Sequence, residues 1–143
     1  MSKSNAMEEK FLKLYYQAVA WALIAENDTS SPIPNIYIAA HTASPGEGGT
    51  QATNEATFGS YVRIAVVRSA VGWTVTGDTC VNAALAQFAE CTSGSETITH
   101  LSTGTASSGA SEIGHIITLD TPRAIVAGSV LQFAAGAIEI TED

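Results

Sequence analysis

The alternation of apolar and polar positions divides the chain into one helical segment and a long β-rich region. Apolar side chains recur at helical spacing up to about Ala25, before the polar run 27–31. Asn5 is a candidate cap, and Glu8 three residues later completes a capping-box pattern. After Pro32, short runs of alternating apolar and polar residues are separated by Gly, Ser and Asp, which is typical of strands and turns. The predicted strands are 36–42, 61–69, 73–76, 79–88 (split), 97–103, 112–119, 130–134 and 137–141.

This pattern predicts a mainly β protein, an antiparallel β-sandwich or jelly roll with one N-terminal α-helix. No helical period recurs after residue 26, which excludes a parallel α/β sheet. A chain of 143 residues suffices for one domain with a real core. We therefore predict a single domain over 1–143, with a helical arm and linker at 1–31 and the β-sandwich at 32–143.

The predicted helix has an unusually wide apolar surface. Its apolar side chains cover an arc about twice the ~100° stripe that a surface helix needs. One interpretation is that one face packs on the protein's own sheet while the other binds a second surface, with Tyr15, Tyr16 and Trp21 as contacts. The alternative is a helix that is buried on all sides in the core of its own domain.

Two arginines near the middle of the chain are further candidates for partner binding. Arg63 and Arg68 lie five apart along the predicted strand 61–69, so their side chains point to opposite faces. The planar guanidinium binds a carboxylate at two points and stacks on aromatic rings, which suits interfaces. A structural ion pair and an interface anchor both remain open for them.

Composition and charge narrow the classes of partner. The chain is 45% hydrophobic and only 14% charged, and its net charge is −8. All three lysines lie in the first 13 residues, so the acidic body repels phosphate and we expect no nucleic-acid partner. The basic N-terminus is interpreted as a solvated helix start or, second, as a tether to an acidic partner. No apolar run is long enough to span a bilayer and no signal-peptide pattern is present, so we expect no membrane partner and synthesis in a cytoplasm.

The residue types that commonly bind metals lack a metal-binding spacing. His41, His100 and His115 lie in or beside predicted strands, with no HxH or HxxxH pattern. Hydrogen-bonded structural histidines are the favoured interpretation. Cys80 and Cys91, eleven residues apart, match no zinc motif; buried free thiols are favoured, although a disulfide stays possible.

Catalytic motifs are missing from the sequence. The segment 104–110 resembles a phosphate loop but lacks its Gly-Lys-Ser/Thr ending, so it is interpreted as a hairpin connection. Glu47 and Glu55 flank a loop, but paired glycosidase acids would need a cleft with aromatic platforms. We therefore expect that the protein is not an enzyme and that it has no catalytic residues, no cofactor and no bound metal. A glycan hydrolase of the virion is therefore the least favoured function for this chain.

Several segments, in order along nearly the whole chain, resemble a family of small structural proteins of tailed bacteriophages and prophages, often labelled tail-fibre-like. The matching segments are 1–6, 36–47, 53–55, 61–66, 72–75, 99–100, 104–109 and 133–137. The stretch 112–115 departs from the more basic or apolar sequence expected there. The resemblance brings no catalytic residues.

The resemblance implies a virion structural protein. A compact antiparallel domain with a leading helix also looks like the jelly-roll cement proteins that decorate phage heads. The leading expectation is a capsid decoration protein on the head exterior, made in the host cytoplasm. It would bind the major capsid protein and copies of itself, as a dimer or trimer. The alternative is a tail or tail-fibre component that contacts a host receptor. The predicted partner-binding residues are Tyr15, Tyr16, Trp21, Arg63 and Arg68.

Overall fold

The computed structural model describes residues 5–20 and 33–142. Within these residues the chain forms one helix, α1 (Asn5–Gln17), and nine strands: β1 (Asn35–His41), β2 (Ile64–Val67), β3 (Trp73–Thr76), β4 (Thr79–Asn82), β5 (Ala86–Gln87), β6 (Ser95–Gly104), β7 (Ile113–Val126), β8 (Gln132–Phe133) and β9 (Glu139–Thr141). The antiparallel sheets and single helix confirm the predicted fold class.

The strands form three antiparallel sheets. The largest has the order β2-β1-β6-β7, the second has the order β3-β4-β9, and β5 pairs with β8. This strand order is compatible with a jelly roll. The first sheet contains the longest ladder, between β6 and β7, and β7 forms one of its edges.

One face of α1 packs on β3 and β4. Leu12 and Tyr16 are fully buried there, and the Tyr16 ring lies 4.5 Å from the Trp73 ring between centroids. In contrast, Phe11 is 42% exposed and Val19 is 48% exposed. One face of the helix is therefore covered by the protein's own sheet, while Phe11 on the helix is exposed. Binding of a second surface by the exposed side, which the first interpretation also includes, stays a prediction.

The helix ends earlier than predicted. The prediction of a helix to about Ala25 is wrong, because α1 ends at Gln17 and Ala18 has a positive φ of 56°. The Val19 N–H then reaches back to the Lys13 carbonyl at 3.1 Å, which closes the last turn. A left-handed alanine is disfavoured by about 1–2 kcal/mol relative to the right-handed form, so other contacts must hold this end.

The central strand is shorter than predicted. The expected strand 61–69 is wrong at both ends, since β2 covers only Ile64–Val67. Before it, the Tyr61 N–H bonds the Phe58 carbonyl at 3.0 Å and Ser60 has a φ of 72°, so this segment is a turn. Strands β8 and β9 are also shorter than the predicted 130–134 and 137–141.

Strand β7 is longer than the predicted 112–119, and it contains a large bulge. Ile98 pairs with Arg123 and His100 pairs with Thr118, so residues 119–122 of β7 face only Thr99. Pro122 has no N–H to give to a ladder, and a bulge is one of the few places in a sheet that accept proline. The sequence pattern predicts that the strand ends at this bulge, whereas β7 pairs with β6 again beyond it.

Candidate functional site

Arg63 and Glu55 form an ion pair in which the Arg63 side chain is buried and the Glu55 side chain is 17% exposed. Arg63 Nε lies 2.6 Å from Glu55 Oε1, and Arg63 Nη2 lies 2.8 Å from Glu55 Oε2. The Tyr61 hydroxyl also donates to Glu55 Oε1, at 2.9 Å. Arg63 is only 6% exposed, so the guanidinium is enclosed within the domain. The carboxylate of Glu55 is thereby engaged at both oxygens by its own chain.

The remaining donors of Arg63 hold the connection between β6 and β7. Its Nη1 donates to the Ala106 carbonyl at 2.9 Å and to Ser111 Oγ at 3.0 Å, while Nη2 donates to the Gly109 carbonyl at 2.6 Å. The predicted hairpin connection 104–110 is thus confirmed as a connection. Of the two roles left open for Arg63, the contacts correspond to the structural ion pair.

Gln51 completes this cluster, and sequence reasoning missed it. Its side chain is fully buried, and Nε2 donates to the Tyr37 carbonyl at 3.0 Å. Its Oε1 accepts from Ser111 Oγ at 2.7 Å and from Arg63 Nη1 at 3.2 Å. A Cβ at Gly104 would lie 2.2 Å from that oxygen, so only glycine fits opposite it. The one signal in the sequence was the glycine at position 104, which indicates a close contact there but does not indicate that Gln51 makes it.

Arg68 binds the end of α1. Its guanidinium donates through Nη2 to the Leu14 carbonyl and through Nε to the Tyr15 carbonyl. Unpaired carbonyls at a helix C-terminus carry a partial negative charge, which a cation stabilises. Arg68 therefore satisfies two carbonyls of the last turn, and this explains why the helix stops here although its apolar period continues.

The Tyr16 hydroxyl and the His115 ring together join four parts of the chain. That hydroxyl lies 3.0 Å from Thr103 Oγ1 and 2.7 Å from His115 Nδ1. On its other side, His115 Nε2 lies 2.6 Å from Glu142 Oε1. Burial raises the pKa of Tyr16 well above its ordinary value of 10.0, so the hydroxyl keeps its proton. The network fastens α1 to β6, β7 and the residue after β9.

Of the five predicted partner-binding residues, the four that the structure describes do not lie on one surface. Tyr16 and Arg63 are buried and make their contacts inside the domain, in two different places. Tyr15 and Arg68 are half-buried, and the structure brings them together with Tyr16 at the end of α1. Trp21 lies outside the described residues. Partner binding by these side chains stays a prediction.

The prediction of structural histidines is confirmed. His41 Nδ1 lies 2.9 Å from the Thr53 carbonyl and Nε2 lies 2.8 Å from Ser102 Oγ. Burial lowers the pKa of His41 from its ordinary value of 6.5. His41 faces His100 across the β1–β6 ladder. Over residues 5–20 and 33–142, however, no three His, Cys, Asp or Glu side chains are grouped so that they could hold a metal ion.

Both cysteines are buried free thiols, as predicted. Burial raises the pKa of the Cys80 thiol to about 12, which keeps it protonated near neutral pH. The Cys91 thiol lies 3.2 Å from the Ser93 carbonyl. Neither thiol is placed as an exposed nucleophile.

The polar groups described above are turned inward, while several large apolar side chains are exposed. These are Phe11, Val19, Val62, Val67, Val71, Leu85, Val126 and Val130. Val71, at 78%, and Leu85, at 56%, are among the most exposed, and sequence reasoning did not select them. The signal available was that both lie in long runs of uncharged residues, 69–77 and 79–89.

These features define a small, mainly β structural protein whose charged side chains brace its own loops and helix. None of the helices in the described ranges has the length and apolarity needed to cross a membrane. The chain belongs to the Gp80 family: the family model, described as podophage GP4 fiber I protein gp80, matches residues 2–141. No curated protein matches the sequence. The chain is therefore a bacteriophage structural protein, in agreement with the resemblance noted above.

Proposed function

We propose that this chain is a fibre component of a short-tailed phage virion, and that it acts as a protein-binding structural unit. The observation that carries this proposal is the extent of the family match, residues 2–141. The match includes α1 and continues to β9, so the whole described domain corresponds to a family whose description names a fibre protein.

The contacts of the domain support a structural role. Arg68 and Tyr16 fasten α1 to the β region, and Arg63 fastens the β6–β7 connection. A framework braced in this way holds its exposed apolar side chains in fixed positions. A surface poor in charge suits packing against other proteins, because charged residues are depleted in the centres of protein interfaces.

Imaging of intact particles tests the proposal. Cryo-electron microscopy of the virion should place density of this shape on the tail, in a few to a few dozen copies. Particles lacking the protein should adsorb poorly to cells while their heads keep the rupture temperature of wild-type heads. Density in hundreds of copies distributed over the head would contradict the fibre assignment.

Capsid decoration is a second candidate, favoured by the open face of α1. Phe11 and Val19 remain exposed on or next to a helix that the β region only partly covers. On the head exterior, such surfaces could bridge major capsid subunits and copies of the chain itself. The affinity of each contact could be low, because many simultaneous contacts on a lattice raise the overall affinity through effective concentration.

The cement candidate has its own test. The purified protein should bind emptied heads and raise their rupture temperature. A Phe11→Asp variant should bind more weakly, whereas the control Val62→Asp, at another exposed valine, should bind as the wild type does. A protein that leaves heads unchanged and co-purifies only with tails would exclude this candidate and favour the fibre assignment.

A further inference from the structure

Asn82 organises one end of the domain. It lies at the end of β4 and is only 2% exposed. Its Nδ2 donates to the Ala84 carbonyl at 2.7 Å and to the Ala134 carbonyl at 2.8 Å, while Oδ1 accepts from the Ile138 N–H at 2.9 Å. One buried amide therefore holds two separate loops, 83–85 and 134–137, beside each other.

A third loop joins them through the backbone. The Ala83 N–H donates to the Gly72 carbonyl at 2.9 Å, which brings the turn 69–72 against loop 83–85. A Cβ at Gly72 would lie 2.2 Å from the Val67 carbonyl, so this turn also packs tightly on the end of β2. Three loops that are distant in the sequence thus meet at one place.

Together the loops present a surface that we call the uncharged face. Its members are all exposed and apolar: Val67, Ala70, Val71, Ala84, Leu85, Ala134, Ala135 and Ala137. Its loops fall within three runs that contain no charged residue, 69–77, 79–89 and 124–138. Arg68 adjoins Val67, but its guanidinium binds the helix carbonyls.

The charge of the remaining chain indicates what covers this face. The net charge is −8, with 14 acidic residues against six basic ones. Two copies that approach through most other surfaces bring carboxylates together, and like charges at an interface disfavour binding. When two copies meet through the uncharged face, none of these loops brings a carboxylate into the contact. A second copy therefore meets the least repulsion there and buries apolar side chains on both sides.

We propose that the uncharged face is the site at which a second copy of this chain binds. The contact is isologous, with the same patch supplied by both copies. Its eight small to medium side chains cover less than the ~800 Å² per partner of a standard interface. The association is accordingly weak in solution and depends on protein concentration. It holds in the virion whether the protein occupies a fibre or the head, so it stands apart from the function proposed above.

Analytical ultracentrifugation of the full chain over a wide concentration range tests this proposal. The wild type should show a dimer whose fraction rises with concentration. Leu85→Asp and Val71→Asp should each weaken the association by about tenfold or more, because each places two carboxylates in the contact and removes apolar burial. Val126→Asp changes an exposed valine outside the face and should associate as the wild type does.

Salt provides an independent readout. Raising the ionic strength from about 0.05 M to about 0.5 M screens the repulsion between the acidic bodies and should strengthen the association. Circular dichroism and melting temperature establish that each variant is folded. A wild type that stays monomeric at every concentration, face variants that associate normally, or an association that salt weakens would each overturn the proposal.

Discussion

The guanidinium of Arg68 binds the carbonyl of Leu14, 54 residues earlier in the chain. With the neighbouring bond to Tyr15, this contact places an arginine from the end of β2 at the C-terminus of α1. The helix end is thus determined by a residue far away in the sequence, and several expectations follow from this and from the other internal contacts.

Arg68→Met keeps most of the side-chain stem and removes both donors. We expect the free energy of unfolding to fall by about 1–3 kcal/mol, because bonds from a charged donor to two carbonyls are lost. Amide exchange at the end of α1 should accelerate more than exchange in β6. Urea denaturation and hydrogen exchange measure the two effects.

Arg123→Met is the matched control for that variant. Arg123 is exposed, and within the described part of the chain no hydrogen bond or ion pair engages its guanidinium. Its replacement should change stability by no more than about 0.5 kcal/mol. Equal effects of the two substitutions would contradict the role given to Arg68.

Arg63→Lys should destabilise the protein strongly although it keeps the charge. A lysine ammonium cannot reproduce a fork that binds both oxygens of Glu55 together with the carbonyls of Ala106 and Gly109. Hydrogen bonds to charged groups commonly contribute about 1.5–3 kcal/mol each, so the loss of one or two of them should be clearly measurable. Thermal unfolding of this variant beside Arg123→Lys measures the difference, and a melting temperature close to that of the control would refute the prediction.

Tyr15 and Tyr16 should respond differently to the loss of a hydroxyl. Tyr16→Phe leaves His115 Nδ1 without its partner and removes one of the hydrogen bonds of Thr103 Oγ1, which should cost about 1–2 kcal/mol. The Tyr15 hydroxyl is buried with no hydrogen-bond partner among the described residues, so Tyr15→Phe should be neutral or slightly stabilising. Urea denaturation of both variants is the measurement, and a larger loss for Tyr15→Phe would contradict it.

His41 should make the protein less stable as the pH falls. Because burial lowers its pKa below 6.5 in the folded state, the unfolded chain binds the proton more readily between the folded pKa and 6.5. The contribution of His41 is fully present above pH 6.5 and decreases as the pH drops toward and past the folded pKa. Since carboxylates titrate at lower pH as well, the readout is the difference between wild type and His41→Gln.

The difference in unfolding free energy between wild type and His41→Gln should shrink as the pH falls from 6.5 to the folded pKa of His41, and it should level off below that pKa. NMR titration of the His41 ring provides a direct check, with a midpoint expected below 6.5. A midpoint at or above that value would show that burial does not dominate at this site. The hydrogen bonds to Thr53 and Ser102 would then be the stronger influence.

The two thiols should resist modification in the folded protein. Cys80 and Cys91 are both buried, and burial raises the pKa of Cys80 to about 12. A maleimide at pH 7 should therefore label neither thiol in native buffer and both in denaturant. A Val71→Cys variant, with an exposed thiol, serves as the positive control, and rapid native labelling of the wild type would contradict the burial of these residues.

The strands and turns that are determined by residues close together in the sequence were predicted correctly. The alternation at 73–76 matches β3, the Gly77-Asp78 turn joins β3 to β4, and the predicted split of 79–88 appears as β4 and β5. Alternation and turn chemistry act over a few residues, so they can be read directly from the sequence. The resemblance to phage structural proteins also came from the sequence, and the family match agrees with it.

Other features could not be predicted because they depend on residues distant in the sequence. The apolar period of α1 continues past Gln17, but Arg68 and the left-handed Ala18 end the helix. The bulge at 119–122 is defined by its pairing with β6. Likewise, Arg63 was expected on a strand, whereas its bonds to Glu55 and to the β6–β7 connection hold it inside the domain.

The sequence by itself determined the antiparallel β class, the single N-terminal helix, the positions of most turns and the kinship with phage structural proteins. Only the tertiary structure decided where the helix ends, which partners the arginines bind and how the Asn82 side chain and the Ala83 N–H bring three uncharged loops into one face. The physical reason is range: propensity and periodicity act between near neighbours, whereas these contacts join residues that become neighbours only when the chain folds.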